Sequence, residues 1–140
     1  MPKISYDLTI DAPSEKVYKA LSTQGGLRGW WEKNCVAEER EGGRAKFTFE
    51  GGKLSMTMGI DKLSPGKEVR WTCVDQLNNP EWQGTKVGFS LSGDGKKTRV
   101  AFVHDGFTEE TKNFEMTVGG WKHFMDSLKS YVESGSGMPF

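Results

Sequence analysis

The sequence predicts an α+β fold: a curved antiparallel sheet of about six to seven strands wrapped around a long C-terminal helix, with two short helices after the first strand. Three observations predict it. From about residue 34 to residue 105, short runs alternate apolar and polar residues, and turn-forming residues separate them. After residue 110 the apolar period changes to three and four. A sheet with one apolar face also needs a cover, and only the last helix is long enough to supply it.

The first strand spans residues 3–10, where Ile4, Tyr6, Leu8 and Ile10 share one face and Ser5, Asp7 and Thr9 the other. Asp11-Ala12-Pro13-Ser14-Glu15 starts a helix, because Pro13 sits where a missing N–H costs little and Glu15 suits the positive helix end. Val17, Tyr18 and Leu21 are its apolar face. Gly25, Gly26 and Gly29 interrupt the next segment, so Leu27–Trp31 is expected to form no more than a short helical turn ending in two tryptophans.

The strands come next. Ala45, Phe47 and Phe49 lead through Gly51-Gly52 to Leu54, Met56, Met58 and Ile60. Ser64-Pro65-Gly66-Lys67 turns the chain into Val69, Trp71 and Cys73, and the polar loop Asn78-Asn79-Pro80-Glu81 comes after it. Val87, Phe89 and Leu91, the turn Gly93-Asp94-Gly95-Lys96, and Val100, Phe102 and His104 complete a meander. Phe114, Val118, Trp121, Met125, Leu128 and Val132 then line one face of a helix over residues 113–133, widened by Phe124 and Tyr131. Gly119-Gly120 inside it predicts a bend or a close approach to something packed alongside. Ser134-Gly135-Ser136-Gly137 stops the helix in a left-handed turn, giving one domain over 1–135 and a flexible tail over 136–140.

Composition removes several classes of function. Lysine plus arginine (19) equals aspartate plus glutamate (19), so no basic field draws in nucleic acid or an anionic membrane. Cys35 and Cys73 stand apart from each other and from both histidines, which reads as two reduced, partly buried thiols ahead of a disulfide between them, and gives no support to zinc or thioredoxin-type chemistry. No cofactor or metal is expected. No run of apolar residues reaches membrane-spanning length and no secretory leader is visible, so a cytoplasmic monomer is expected. Nucleophile-elbow and Walker-type motifs are missing; Gly25-Gly26-Leu27-Arg28-Gly29 lacks the Gly-Lys-Ser/Thr ending of a phosphate loop.

Five segments in their order resemble a known family: Ile10–Leu21, the Gly29-Trp30-Trp31 doublet, Val69-Arg70-Trp71, Val100–Phe107 and Gly120–Tyr131. The chain resembles the helix-grip (START-like, Bet v 1-like) superfamily, and within it the branch named for the C-terminal domain of the activator of the Hsp90 ATPase. That resemblance implies a bent antiparallel sheet gripping the long helix with a pocket between them. Members include carriers of hydrophobic ligands, polyketide cyclases and Hsp90 co-chaperones, so the fold implies a pocket and leaves the chemistry open. The eukaryotic co-chaperone resembles this chain only in its second half; its additional N-terminal domain, which engages the chaperone, has no counterpart in this sequence.

The candidate site is the set of large inward residues: Trp30, Trp31, Phe47, Phe49, Met56, Met58, Trp71, Phe89, Phe102, Trp121, Phe124 and Met125. Taken singly, each reads as core. Taken together, aromatic walls and pliable methionines suit an apolar ligand. His104 shares the inward parity of Val100 and Phe102, where it binds a ligand carbonyl, acts as an acid or base, or is simply satisfied by a backbone carbonyl or by Asp105. Arg70 and His123 are expected to face solvent. The function expected from these residues is binding of a hydrophobic or amphipathic small molecule, with an Hsp90-type chaperone interaction module and a small cyclase- or dehydratase-type enzyme as alternatives.

Overall fold

The computed structural model describes residues 3–49, 54–76, 80–93 and 95–139. Strand β1 (Ile4–Ile10) is followed by helices α1 (Ser14–Ser22) and α2 (Gln24–Trp30). Six further strands come next: β2 (Cys35–Ala37), β3 (Arg44–Phe49), β4 (Leu54–Ser64), β5 (Glu68–Gln76), β6 (Lys86–Gly93) and β7 (Thr98–Asp105). A short 3₁₀ turn, Pro80–Trp82, lies between β5 and β6, and α3 (Lys112–Ser134) closes the fold. The seven strands form one antiparallel sheet in the order β1-β7-β6-β5-β4-β3-β2. This is the predicted helix-grip architecture.

Sheet pairing reflects the alternation. Tyr6 faces Phe102 and Phe89 faces Phe102 in register, so the inward rows of β1, β6 and β7 fall on one face. Strand β4 changes register between Thr57 and Met58 and again between Ile60 and Lys62. Such irregularities bend a long strand and help the sheet curl around a helix. Helix α3 is capped by the Thr111 hydroxyl, which accepts from the Phe114 N–H, and ends on Gly135 in the left-handed region (φ 86°). Its buried stripe carries Phe114, Trp121, Met125, Leu128 and Val132, with Val118 half-buried at the margin.

Two local expectations change. Helix α2 runs straight through Gly25, Gly26 and Gly29. A Cβ on Gly26 would come within 2.6 Å of the Ala20 backbone, and one on Gly29 would overlap the Tyr131 ring. These glycines let α2 pack against α1 and α3, and that contact outweighs their weak helix propensity. In α3 the reverse holds: a Cβ at Gly119 or Gly120 would meet nothing within 4 Å, so no close approach explains the pair. The Gly51-Gly52 turn and Asn78-Asn79 lie outside the described residues.

Residues 136–139 fold back along α3. The Met138 N–H donates to Ser127 Oγ (2.6 Å), which donates to the Trp30 carbonyl (2.7 Å), and the Met138 carbonyl meets His123 Nε2 at 2.9 Å. Among the described residues, no helix is long and apolar enough to cross a membrane.

Candidate functional site: the aromatic interior

Trp31 occupies the centre of the interior. It leaves the last turn of α2, where its N–H still bonds the Leu27 carbonyl (2.9 Å), and its ring meets the rows supplied by the sheet and by α3. Ring centroids lie 4.2 Å away for Phe47, 5.2 Å for Trp121, 5.6 Å for Trp30 and Trp71, and 6.1 Å for Phe124. Phe89 bridges onward to Trp71 (5.2 Å) and Phe102 (5.1 Å), and Phe102 closes on Trp121 (4.6 Å). These separations are those of rings in contact, each such pair contributing about 0.5–1.5 kcal/mol beyond its buried area.

The structure therefore brings Trp30, Trp31, Phe47, Trp71, Phe89, Phe102, Trp121 and Phe124 into one continuous cluster. Met56, Met58 and Met125 are buried with them. Trp30, Phe47, Met58, Phe89 and His104 are fully buried. Trp30 is also fixed by its polar edge, the indole N–H donating to the Ala20 carbonyl (2.7 Å). Phe49 ends β3, and its side chain lies outside the described residues.

His104 points inward, and both ring nitrogens are engaged. The Trp121 indole N–H, a donor only, approaches Nδ1 at 2.9 Å, so Nδ1 accepts and the proton sits on Nε2. Nε2–H then donates to Thr85 Oγ1 (2.8 Å), whose hydroxyl donates to the Trp82 carbonyl (2.5 Å). Burial pushes the imidazole down to about 3, so it is neutral at ordinary pH. Its partners are thus Thr85 and Trp121, in place of a backbone carbonyl or Asp105. With its lone pair taken and its proton committed, it is poorly placed for acid–base work.

Three contributors escaped sequence reading. Trp82, on the 3₁₀ turn, stacks on Trp121 (6.0 Å, 14°) and meets the His104 ring edge-on at 4.6 Å, while its indole N–H donates to Thr117 Oγ1 (3.1 Å). A tryptophan inside an otherwise polar loop was the available signal. Thr85 had none. Glu32 is 2% exposed; its Oε1 accepts from the Asn34 N–H (3.0 Å) and its Oε2 has no partner.

Outside the interior, Arg70 and His123 are exposed as expected. Arg70 joins Glu68 and Lys62 in a surface network, which holds the Glu68 carboxyl below the usual range. Cys35 and Cys73 are buried and not joined in a disulfide, and burial pushes the Cys35 thiol up to about 11. Among the described residues no group of three or more His, Cys, Asp or Glu side chains is placed to hold a metal ion. An open groove of about 430 Å³ lies on the outer surface, lined by α1, α2 and the end of α3, with Lys16, Lys19 and Tyr131 on its walls.

Residues 11–133 match the model of the family described as activator of Hsp90 ATPase homolog 1-like protein. The chain belongs to this family. The Aha1 dimer from Colwellia psychrerythraea, solved in solution, is 33% identical to it, with 98% of this chain and 100% of that one covered and a TM-score of 0.86. Protein SSP2350 from Staphylococcus saprophyticus (18% identity, 99% and 98% covered, TM-score 0.79) and CalU16 from Micromonospora echinospora (18%, 97% and 76%, 0.74) share the fold. A comparison with curated proteins finds no match.

Proposed function

We propose that this family member works by protein contact, binding an Hsp90-type chaperone and raising its ATPase rate. The family match over residues 11–133 carries this reading. The packing around Trp31 supports it: where rings already touch one another, they stabilise the fold, and a ligand would have to displace them. A saturable rise in the ATPase rate of the chaperone from the same source, on titration with this protein, is the expected result. No change at saturating protein would overturn the reading.

The second reading is a hydrophobic or amphipathic ligand held between the sheet and α3. One observation favours it, the set of aromatic and methionine side chains gathered in that interior. A small-molecule adduct in native mass spectrometry, lost on denaturation, is its test. An acid–base enzyme built on His104 gains no support from a ring held neutral with both nitrogens bonded. A monomer is the proposed state of the free chain, and sedimentation at working concentration separates it from a dimer like that of the Colwellia relative.

A further inference from the structure

The open groove on the outer surface is built by three helices. Ala20 of α1, Gly25 in the first turn of α2, and Tyr131 and Val132 near the end of α3 form its apolar floor and wall, and Lys16 and Lys19 stand on its α1 side. The two lysines lie three residues apart on one helix face, and both are exposed. Among the described residues, neither ammonium takes part in an ion pair or a hydrogen bond. Glu133, beside Val132 on α3, is already taken by Lys129 and by the Asp11 N–H. The groove thus carries two cations with no anion of its own bonded to them.

Gly25 is a second, independent observation. Glycine is the weakest helix former after proline, so its place within α2 calls for a reason. Packing supplies one for its neighbour Gly26, where a Cβ would come within 2.6 Å of the Ala20 backbone. A Cβ on Gly25 would meet nothing within 4 Å. The fold itself therefore does not require glycine at this position. Its effect is to leave the groove clear where a longer side chain would narrow it.

We infer that this groove is where the chain receives its chaperone partner, taking an acidic amphipathic segment whose apolar side chains rest on Ala20, Tyr131 and Val132 and whose carboxylates meet Lys16 and Lys19. An open apolar groove suits an amphipathic segment that brings its own cover, whereas a small molecule there would stay largely in water. The lysines at the rim select the sign of the segment's charge. The inference rests on the chaperone reading and adds to it the surface used and the chemistry of the segment bound.

The test is the ATPase titration of the chaperone from the same source, run in parallel with the full parent chain and three variants of it. Lys16→Glu with Lys19→Glu reverses the charge of the rim, and Gly25→Leu fills the floor. Lys3→Glu with Lys46→Glu makes the same change of net charge on exposed lysines just before β1 and on the outer face of β3. The half-maximal concentration is expected to rise about tenfold or more for the first two and to stay within about twofold for the third. Gly25→Leu should melt at or above the parent temperature, because leucine favours the helix. If the parent stimulates and either groove variant matches it, the inference falls while the chaperone reading stands. Equal loss in the Lys3 and Lys46 variant, or a Gly25→Leu variant that melts below the parent, would also overturn it, since net charge or folding would then account for the loss. A parent chain that does not stimulate removes the chaperone reading and this inference together.

Discussion

Trp121 donates its indole N–H to His104 Nδ1 at 2.9 Å, and this single bond between α3 and β7 fixes the histidine tautomer. With the proton placed on Nε2, the chain of donors runs from Trp121 through His104 and Thr85 to the Trp82 carbonyl. It ties the long helix, the last strand and the turn before β6 together inside the core. A second proton on His104 would set two donors against each other at Nδ1.

Stability should therefore fall with pH in a defined window. His104 holds about 3 in the folded chain against 6.5 when unfolded, so below pH 6.5 the unfolded state takes up the proton first. Its contribution is complete above 6.5 and declines by about 1.4 kcal/mol for each pH unit down to about 3. Asp7, Glu68 and Glu133, whose carboxyls are held low by Arg99, by Lys62 with Arg70, and by Lys129, add a loss in the same direction only below their ordinary range. Urea midpoints between pH 7 and 5 should slope downward in the parent, and the slope should be flatter by that amount in His104→Gln.

Replacing Trp121 with Phe keeps most of the ring volume and deletes the donor. The buried Nδ1 lone pair is left unsatisfied, at a cost of about 1–3 kcal/mol. Chemical denaturation reads the loss. Imidazole nitrogen shifts in the variant should show the Nε2–H tautomer less uniquely populated than in the parent.

The glycines separate into two groups. Gly29→Ala pushes a methyl group into the Tyr131 ring and should cost about 1–3 kcal/mol. Gly119→Ala and Gly120→Ala meet open space inside a helix and should each stabilise by roughly 0.5–1 kcal/mol. Thermal melts of the three variants give opposite signs if the packing is as described.

Much of this was legible in the residues. The period of Phe114, Trp121, Met125, Leu128 and Val132 marked α3, and the parity of Val100, Phe102 and His104 placed all three inward, as the structure does. Long periodic segments are readable because their burial repeats along the chain. The second short helix was expected, but not its extent through Gln24–Trp30, since Gly25, Gly26 and Gly29 look like breakers until Ala20 and Tyr131 are seen against them. The partners of His104 were equally hidden: Thr85 lies 19 residues away, in a stretch without period, and only the sheet pairing of β6 with β7 brings it near. Glu32 reads in sequence as one more charged residue after a helix; its burial comes from how the chain turns from α2 into β2.

Trp31 separates the two uses of the interior. If its ring serves the fold, Trp31→Ala should cost about 3–5 kcal/mol, as large-to-small changes in filled cores do. An interior kept open for a ligand would lose much less, because fewer contacts would be missing. Guanidinium unfolding of the variant gives the figure.

The measurement that bears most directly on the central claim is the steady-state ATPase rate of the Hsp90-type chaperone from the same source, titrated with the full chain. A rate that rises to a plateau, and does so equally with Glu32→Gln, is the predicted result: the surface acts on the chaperone and the interior supports it. An ATPase rate unchanged at saturating protein would contradict that account and leave the ligand-binding reading in its place.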